Sequence, residues 1–239
     1  MAMAFESLNI PAISLNAFQV KIYTDSNYGD AKILKIETDR INKELENGKI
    51  VIVTGFQGID ENNNYTTLGR GGSDTTAVAL ASALKADACE IYTDVDGVYT
   101  ADPNVVKNAV KLDNISYDEM LEFSNLGAGV LHNKCVKLAK ENNVKLVVKS
   151  SMSNESGTTV SNLYKKYNMP NITGVTSNDN VVSIVGSNID IDTKEMIINM
   201  LNEDNLKYDN IEQTNMCVSI TVDKHDVKSC VNCMHSLFF

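Results

Sequence analysis

The stretch TTLGRGGSDTTAVALASAL, residues 66–84, places a glycine-rich loop directly before an apolar, alanine-rich run with the length of a helix. Gly69, Gly71 and Gly72 permit backbone torsions that other residues resist, and they let main-chain N–H groups approach a ligand closely. N–H groups at a helix start attract anions, because they lie at the positive end of the helix dipole. The stretch therefore predicts an anion-binding loop at the start of a helix.

Three polar side chains accompany this loop. Arg70 carries a planar guanidinium that can hold a carboxylate or a phosphate through two parallel hydrogen bonds. Ser73 and Asp74 occupy positions at which a helix N-cap is expected. The loop is neither a Walker A loop nor a dinucleotide fingerprint, since G-x-x-x-x-G-K-[ST] and G-x-G-x-x-G are both absent. A surface turn followed by a capped helix explains the same residues, and the loop alone does not decide between the two interpretations.

The composition limits the class of partner. The chain has 239 residues, 43% of them hydrophobic, which suffices for one large core or for two domains of unequal size. Its formal charge of −10 and pI near 4.8 disfavour nucleic acids and anionic membranes. The sequence contains neither a run with the length of a membrane helix nor a basic amino-terminal targeting region. The expected partners are small molecules and protein.

The cysteines indicate a reducing, cytoplasmic location. Their number, five, is odd, and their spacing is not that of a disulfide framework. Cys230 and Cys233 form a C-x-x-C motif within a predicted amphipathic helix, KHDVKSCVNCMHSLFF. Because no second ligand pair accompanies them, buried thiols on a helix face are favoured over zinc binding or redox chemistry.

Short β-branched runs alternate with helical patterns over the first two thirds of the chain, as in AISL, AKILKI, TDRINKELENG, KIVIVTGF and ACEIYTD. This alternation predicts an α/β fold with a mainly parallel sheet between helices. Further along, SYDEMLEFSNLG and GVLHNKCVKLAKENN are predicted helices and KLVVKSS a strand. Ser116 and Glu119 predict a capping box, and Asn142 and Asn143 a helix end.

A polar segment, residues 161–171, is the predicted linker between residues 1–160 and residues 172–239. Behind it, NITGVTS, VVSIVGS, YDNIEQT and MCVSITV are predicted strands, while DTKEMIINMLNEDN and the cysteine-containing segment are predicted helices. This order predicts a small α+β domain of the ferredoxin-like kind, a frequent carrier of regulatory ligands.

Two further loops contain glycines or carboxylates at predicted strand ends. KIVIVTGFQG ends a predicted buried strand in Gly55 and Gly58, and IYTDVDGVYTADP ends another in Asp94 and Asp96. Since ligands in open α/β sheets bind beyond the carboxyl ends of the strands, we expect all three loops to gather at one sheet edge. Taken separately, the aspartates are also consistent with turn residues that cap their own backbone, above all Asp96. An EF-hand is excluded, because the further ligands and the terminal glutamate are absent.

Together these motifs resemble those of the aspartokinases. GFQG, TTLGRGGSDTTA, YTDVDGVYTADP, GAGVLH and then GTTV occur in the family's order and at about its intervals, up to residue 160. The tail resembles the family's ACT regulatory domain. The resemblance implies the amino-acid kinase fold and transfer of the ATP γ-phosphate, with Mg²⁺, to the side-chain carboxylate of L-aspartate. The product, 4-phospho-L-aspartate, leads to lysine, threonine and methionine.

The resemblance also implies roles for particular residues. Thr67, Arg70 and Ser73 would bind aspartate, and Asp74 would be catalytic by orienting a phosphate-binding lysine. Residues expected to bind the nucleotide or its phosphates are Gly55, Phe56, Gly58, Gly71, Gly72, Thr93, Asp94 and Tyr99. Lysine or threonine would bind as an effector near the regulatory residues Ser187, Asn188 and Ile189, at an interface between ACT domains of a homodimer or larger assembly. The resemblance implies no side-chain metal ligands.

The sequence departs from the aspartokinase pattern in four features. The K-F-G-G-[ST]-S phosphate loop and the G-E motif do not occur, Asn104 replaces an arginine, and Gly129 stands where a lysine is frequent. We therefore expect an amino-terminally truncated chain that is inactive alone. The alternatives are a non-catalytic regulatory or pseudokinase subunit that binds nucleotide or amino acid, and another amino-acid kinase, such as an acetylglutamate or uridylate kinase. A K-F-G-G motif encoded in frame upstream would favour the enzyme over the regulatory subunit.

Overall fold

The computed structural model describes residues 1–162 and 171–239. Two compact units account for them: a first unit of residues 1–91 and 137–145, and a second unit of residues 92–136 and 146–239. Most of the predicted linker therefore lies outside the described residues. The division into a kinase region and a regulatory tail stays a prediction, because the second unit includes parts of both.

Seven helices occur in the described residues: α1 (Ala2–Ser7), α2 (Asp39–Glu46), α3 (Gly72–Leu84), α4 (Tyr117–Asn125), α5 (Asn133–Asn142), α6 (Ile191–Glu203) and α7 (Val227–Phe238). The strands are β1 (Ala12–Leu15), β2 (Ile22–Thr24), β3 (Ile33–Ile36), β4 (Ile50–Val53), β5 (Gln57–Ile59), β6 (Tyr65–Thr67), β7 (Cys89–Thr93), β8 (Asn114–Ser116), β9 (Leu146–Ser150), β10 (Thr158–Ser161), β11 (Asn171–Asn178), β12 (Val181–Ser187), β13 (Tyr208–Gln213) and β14 (Cys217–Val222). Within this part of the chain, every helix is too short or too polar to cross a bilayer.

The first unit contains two small sheets. β1 and β4 pair in parallel, from Ala12 opposite Ile50 to Leu15 opposite Val53. The second sheet has the order β3-β2-β5-β6, in which β2 and β5 are parallel and the other pairs are antiparallel. The prediction that β4 is a buried strand is wrong: Ile50 is exposed and the other three residues are only partly buried. In the described structure β4 has β1 as its one strand neighbour, so its other edge and part of its faces are uncovered.

Strands β8, β9 and β10 of the second unit belong to a mixed sheet of order β7-β9-β10-β8, whose strand β7 enters this unit at Tyr92. β10 runs parallel to β8 and antiparallel to β9. The predicted α/β architecture is confirmed, and parallel pairs occur in both units. Antiparallel pairs are more numerous than the alternation of motifs predicted, because short hairpins such as β5–β6 can join only antiparallel strands.

A second sheet of this unit is antiparallel throughout, in the order β11-β12-β14-β13. Its inner face and helices α6 and α7 share one hydrophobic core, which includes the fully buried residues Ile184, Ile197, Leu201, Val218 and Met234. The predicted α+β arrangement of the tail is observed in this sheet and its two helices. The identification of the tail as an ACT domain stays a prediction.

Some helix ends follow their local sequence and others do not. Ser116 and Glu119 form the predicted capping box of α4, and Asn143 adopts a left-handed φ of 52° directly after α5. The predicted N-cap of α3 is wrong, because the cap is Gly71 and Ser73 and Asp74 lie inside the first turn. Gly71 adopts a left-handed φ of 72°, which glycine does readily because it has no Cβ.

The cysteines are all free and buried. Burial raises the pKa of Cys230 and of Cys233 to about 12, so both thiols are protonated at neutral pH. Among the residues that the structure describes, His, Cys, Asp and Glu side chains form no group of three that could hold a metal ion. These observations agree with the interpretation of the C-x-x-C motif as buried thiols on a helix face.

The hydroxyl of Thr158 connects three segments of the second unit. It accepts a hydrogen bond from Val98 N at 2.8 Å and donates one to Leu112 O at 2.6 Å. Thr158 is fully buried, and a Cβ added to Gly97 would lie 2.5 Å from its Oγ1. The loop that contains Gly97 is therefore held against β10 by a contact that only glycine permits.

We predict that Thr158→Val lowers the free energy of unfolding by about 2–4 kcal/mol, because two buried backbone groups would each lose their partner. Thr158→Ser keeps the hydroxyl and should cost about 1 kcal/mol or less, the value of a buried methyl group. Thr159→Val, at the next position of β10, is the matched control and should change stability by less than about 0.5 kcal/mol. Urea unfolding followed by circular dichroism measures all three. Equal stability of the Thr158→Val and Thr158→Ser variants would refute the assigned role of the hydroxyl.

Candidate functional site

The two glycine loops of the first unit contact each other directly. Leu68 N donates a hydrogen bond to Phe56 O at 3.0 Å. Phe56 N donates to Thr76 Oγ1, also at 3.0 Å, and Thr76 lies in the first turns of α3. A Cβ added to Gly55 would lie 3.3 Å from Ser73 Cα. The sequence prediction that these two loops lie together is thus met within the first unit.

Backbone geometry in these loops depends on small residues and on one strained residue. A Cβ added to Gly58 would overlap Thr24 Cγ2, and one added to Gly72 would lie 2.8 Å from the Phe56 ring. Phe56 itself has a φ of 71°, an uncommon conformation for a bulky residue that is often found at functional sites. These observations agree with a loop whose backbone is shaped to approach a ligand.

The start of α3 presents the predicted substrate residues on the surface. Arg70 and Ser73 are exposed, and Asp74 is partly buried. The helix begins at Gly71 without a side-chain cap, and the Gly72 N–H donates to Gly69 O at 3.0 Å. Asp74 also acts on Cys89, since burial raises the pKa of that thiol to about 11 and the charge of Asp74 contributes. A cation and a helix N-terminus together suit a carboxylate or phosphate ligand.

Thr67 has a structural role in the same loop. Its N–H and its hydroxyl both donate to Tyr28 O, at 2.9 and 2.8 Å. The Tyr28 hydroxyl donates in turn to Asp60 Oδ2 at 2.8 Å. The pKa of Asp60 is lowered, chiefly because its carboxylate accepts a hydrogen bond from the Asn64 backbone. Sequence reasoning missed Tyr28 and Asp60, whose separation along the chain conceals their contact.

In the second unit, Thr93 and Asp94 follow one another at the end of β7. The Thr93 hydroxyl donates to Asp94 Oδ1 at 3.0 Å, and Thr93 O accepts a hydrogen bond from Ser151 N at 2.8 Å. Ser151 directly follows β9. The two predicted nucleotide residues are therefore adjacent to the end of β9.

Tyr99 belongs to a small polar network. Its hydroxyl donates to both carboxylate oxygens of Asp96 at 3.1 Å, and Lys111 Nζ lies 3.7 Å from Asp96 Oδ2 and 2.5 Å from Glu155 Oε2. The pKa of Tyr99 is raised, first by burial and then by its hydrogen bond to Asp96. The contacts found for Asp96 are thus with side chains, contrary to the interpretation as a backbone-capping turn residue. Sequence reasoning missed Lys111 and Glu155, which no motif links to this loop.

Thr93, Asp94, Asp96 and Tyr99 border a cavity of about 500 Å³ in the second unit. Residues 93–99 and 101–105 form one side of it, and residues 127–130 contribute the GAGV segment. Asn104 and Gly129, two of the departures from the aspartokinase pattern, both line this cavity. A Cβ added to Gly129 would meet no atom within 4 Å, so a larger side chain would fit there. A volume of this size is typical of small-molecule sites.

The predicted regulatory residues lie at the end of β12, whose last residue is Ser187. Asn188 has a left-handed φ of 57°, the conformation that glycine adopts most easily, while Ile189 is buried and its N–H donates to Asn215 O at 3.0 Å. Ser187 is partly buried. These residues form a well-defined turn in the described structure. Effector binding at this turn stays a prediction, and so does the gathering of all three loops at one edge, because the third loop belongs to the other unit.

Comparison with known proteins gives a consistent picture. The sequence profile of the amino acid kinase family matches residues 1–150. An aspartokinase of Bacillus sp. (strain MGA3) is 47% identical over 232 residues, covering 93% of this chain and 56% of the relative. The chain thus spans little more than half the length of that relative.

Solved structures also match. The crystal structure of Escherichia coli aspartokinase III in complex with aspartate and ADP has a TM-score of 0.83 at 22% identity, covering 100% of this chain and 72% of that chain. The same enzyme in complex with lysine and aspartate matches at 29% identity with a TM-score of 0.64, covering 92% of this chain and 51% of that chain. The resemblance to aspartokinases is therefore confirmed, and on the family profile the chain belongs to the amino acid kinase family.

Proposed function

We propose that this chain is part of an aspartate kinase, which transfers the γ-phosphate of MgATP to the side-chain carboxylate of L-aspartate. The observation that carries the proposal is the direct contact between the GFQG and TTLGRGGSD loops, with Arg70 and Ser73 exposed where α3 begins. Arg70 would bind a substrate carboxylate through two hydrogen bonds, and Ser73 would add a hydroxyl donor. The 47% identical aspartokinase supports the choice of substrate.

The nucleotide would bind in the second unit at Thr93, Asp94 and Tyr99. MgATP would enter as a substrate. Mg²⁺ commonly binds through one or two carboxylates together with the phosphates of its nucleotide. Positioning and charge neutralisation provide most of the catalysis in phosphoryl transfer. A chain without the K-F-G-G lysine would therefore bind its ligands but turn over poorly.

Two alternatives differ in class. A regulatory or pseudokinase subunit would bind nucleotide or amino acid without catalysis. Another amino-acid kinase would share the fold, but TTLGRGGSD favours aspartate.

The five free, buried cysteines support the proposed cytoplasmic location.

We expect negligible ADP release from this chain with aspartate and MgATP, well below about 1 per second. Fused to the segment of the Bacillus sp. aspartokinase that supplies its phosphate loop, the chain should phosphorylate aspartate at that rate or faster. A coupled ADP-release assay compares the chain with the hybrid. A hybrid that binds both substrates without turnover would favour the regulatory subunit, and ordinary turnover by the chain alone would show that the loop is dispensable.

In the active hybrid, Arg70→Lys should raise KM for aspartate about tenfold or more and change KM for ATP little. An ammonium cannot reproduce the two parallel hydrogen bonds of a guanidinium to a carboxylate. Arg40→Lys is the matched control, because Arg40 is the chain's other arginine and pairs with Glu44 on α2. Equal losses for both substrates in the Arg70→Lys variant would place this arginine on a different ligand.

We further propose that the tail, residues 172–239, regulates the enzyme and assembles it. An edge strand of an antiparallel sheet can pair with a second copy, and β13 is the edge of the tail's sheet opposite β11, whose Val175 N–H donates to Thr100 O. Escherichia coli aspartokinase III has been crystallised with lysine, which supports an amino-acid effector. Lysine or threonine would bind near Ser187, Asn188 and Ile189. The simpler alternative is a dimerisation module without a ligand.

Calorimetric titration of the chain with lysine and with threonine should show binding of one of them, and Asn188→Val should abolish it, since a β-branched residue disfavours a left-handed φ. Sedimentation should show a dimer for the full chain and a monomer after removal of the tail. No heat from either amino acid would refute the effector site. A dimer that persists without the tail would refute its role in assembly.

A further inference from the structure

The cavity beside Thr93 and Tyr99 has a wall made by the carboxy-terminal region. Val175, Thr176 and Ser177 of β11 line it, and so does Val231 of α7. None of these residues belongs to the kinase motifs of the sequence. The cavity is therefore formed by two separate parts of the chain within the same compact unit.

Thr100 holds this wall against the opposite side of the cavity. Its backbone O accepts a hydrogen bond from Val175 N at 2.7 Å, and its Oγ1 lies 2.9 Å from His235 Nε2 of α7. The same Oγ1 accepts a hydrogen bond from Val110 N at 2.9 Å. Thr100 and His235 are 2% and 3% exposed, so these bonds are not exchanged with water. A Cβ added to Gly174 would lie 2.5 Å from Thr100 O, so a glycine is required at this approach of β11.

The charge of the lining determines which part of a nucleotide can enter. Asp94, Asp96 and Asp102 contribute carboxylates, and no lysine or arginine is found in the lining within the described residues. Carboxylates repel a polyphosphate but accept hydrogen bonds from hydroxyl groups such as those of ribose. Ala101, Phe123 and Val231 supply apolar surface for a base. The cavity volume of about 500 Å³ is within the usual range for small-molecule sites.

We propose that β11 and α7 of the carboxy-terminal region form one wall of the nucleotide site and contact the nucleoside moiety. The inference rests on the proposed function, which places the nucleotide at Thr93, Asp94 and Tyr99. The carboxy-terminal region is then a structural component of the nucleotide site, independently of any effector that it binds. Ser177, near the carboxy-terminal end of β11, is the residue best placed to test this.

The test is calorimetric titration of the full chain with adenosine, with sodium tripolyphosphate as competitor. Adenosine should bind, and tripolyphosphate should not displace it. Ser177→Phe should raise the dissociation constant for adenosine at least about tenfold, because the ring would fill the cavity, a loss of about 1.4 kcal/mol. Ser229→Phe is the matched control: Ser229 is exposed on α7 outside the lining, and its variant should remain within about twofold of the wild type.

Val231→Ala is a milder second variant, expected to weaken adenosine binding at least about threefold, in case the Ser177→Phe variant does not fold. Circular dichroism and aspartate binding report on folding. Displacement of adenosine by tripolyphosphate, no binding of adenosine to the wild type, or unchanged affinity in a folded Ser177→Phe or Val231→Ala variant would each overturn the proposal. If adenosine binds as expected but the hybrid with the Bacillus sp. phosphate loop does not phosphorylate aspartate, the proposed function alone would be overturned.

Discussion

The close approach of backbone at three glycines is the constraint on which the first unit depends. At Gly55, Gly58 and Gly72 the space for a side chain is already occupied by Ser73, Thr24 and Phe56, respectively. Any side chain at Gly58 or Gly72 would have to separate the segments that it touches. Because these contacts fix the GFQG loop against the start of α3, they also fix where Arg70 leaves the loop. The position of Arg70 therefore depends on these three glycines, which have no side chains.

In the second unit, buried hydroxyl groups hold an irregular loop in place. Thr158 bridges Val98 and Leu112, while Thr100 bridges Val110 and His235. Each hydroxyl can donate once and accept twice, so one threonine satisfies backbone groups of a loop that has little regular structure. Loss of such a group leaves buried donors or acceptors without partners, which costs more than the bond itself contributed. The irregular loop at residues 94–110 therefore has a defined shape without being part of a strand or helix.

Local sequence patterns predicted the structural features that depend only on residues close together in the chain. The capping box at Ser116, the end of α5 at Asn143 and the buried thiols of α7 all follow from patterns a few residues long. The N-cap of α3 could not be predicted in this way, because a serine directly after a glycine pair was the stronger local signal, whereas the chain reversal is made by Gly71. Burial of β4 depends on what covers its second edge, and no pattern within IVIV contains that information.

The candidate site shows the same division. Motif order made Thr67 and Tyr99 candidate site residues, but it did not indicate the side-chain pairs beside them. Tyr28 contacts Asp60 across 32 residues, and Lys111 contacts Glu155 across 44 residues. Such pairs have no signature in a single sequence, since aspartate, glutamate and lysine are usually exposed, whereas Asp60 is buried in this structure.

Lys111 also limits how the nucleotide cavity can act. It is the cation of the Tyr99 network, and its ammonium is already shared between Asp96 and Glu155. Both acceptors raise the pKa of Lys111, with Glu155 the larger cause, so the group stays charged and stays paired. Transfer of this ammonium to a phosphate would leave the Asp96 carboxylate beside Tyr99 without its counter-charge. If the proposed nucleotide binds here, with Asn104 and Gly129 where the aspartokinase pattern has basic residues, neutralisation of its phosphates would come from Mg²⁺ or from cations outside the cavity lining. The cavity is therefore better suited to recognise a nucleoside than to stabilise the charge that moves during phosphoryl transfer.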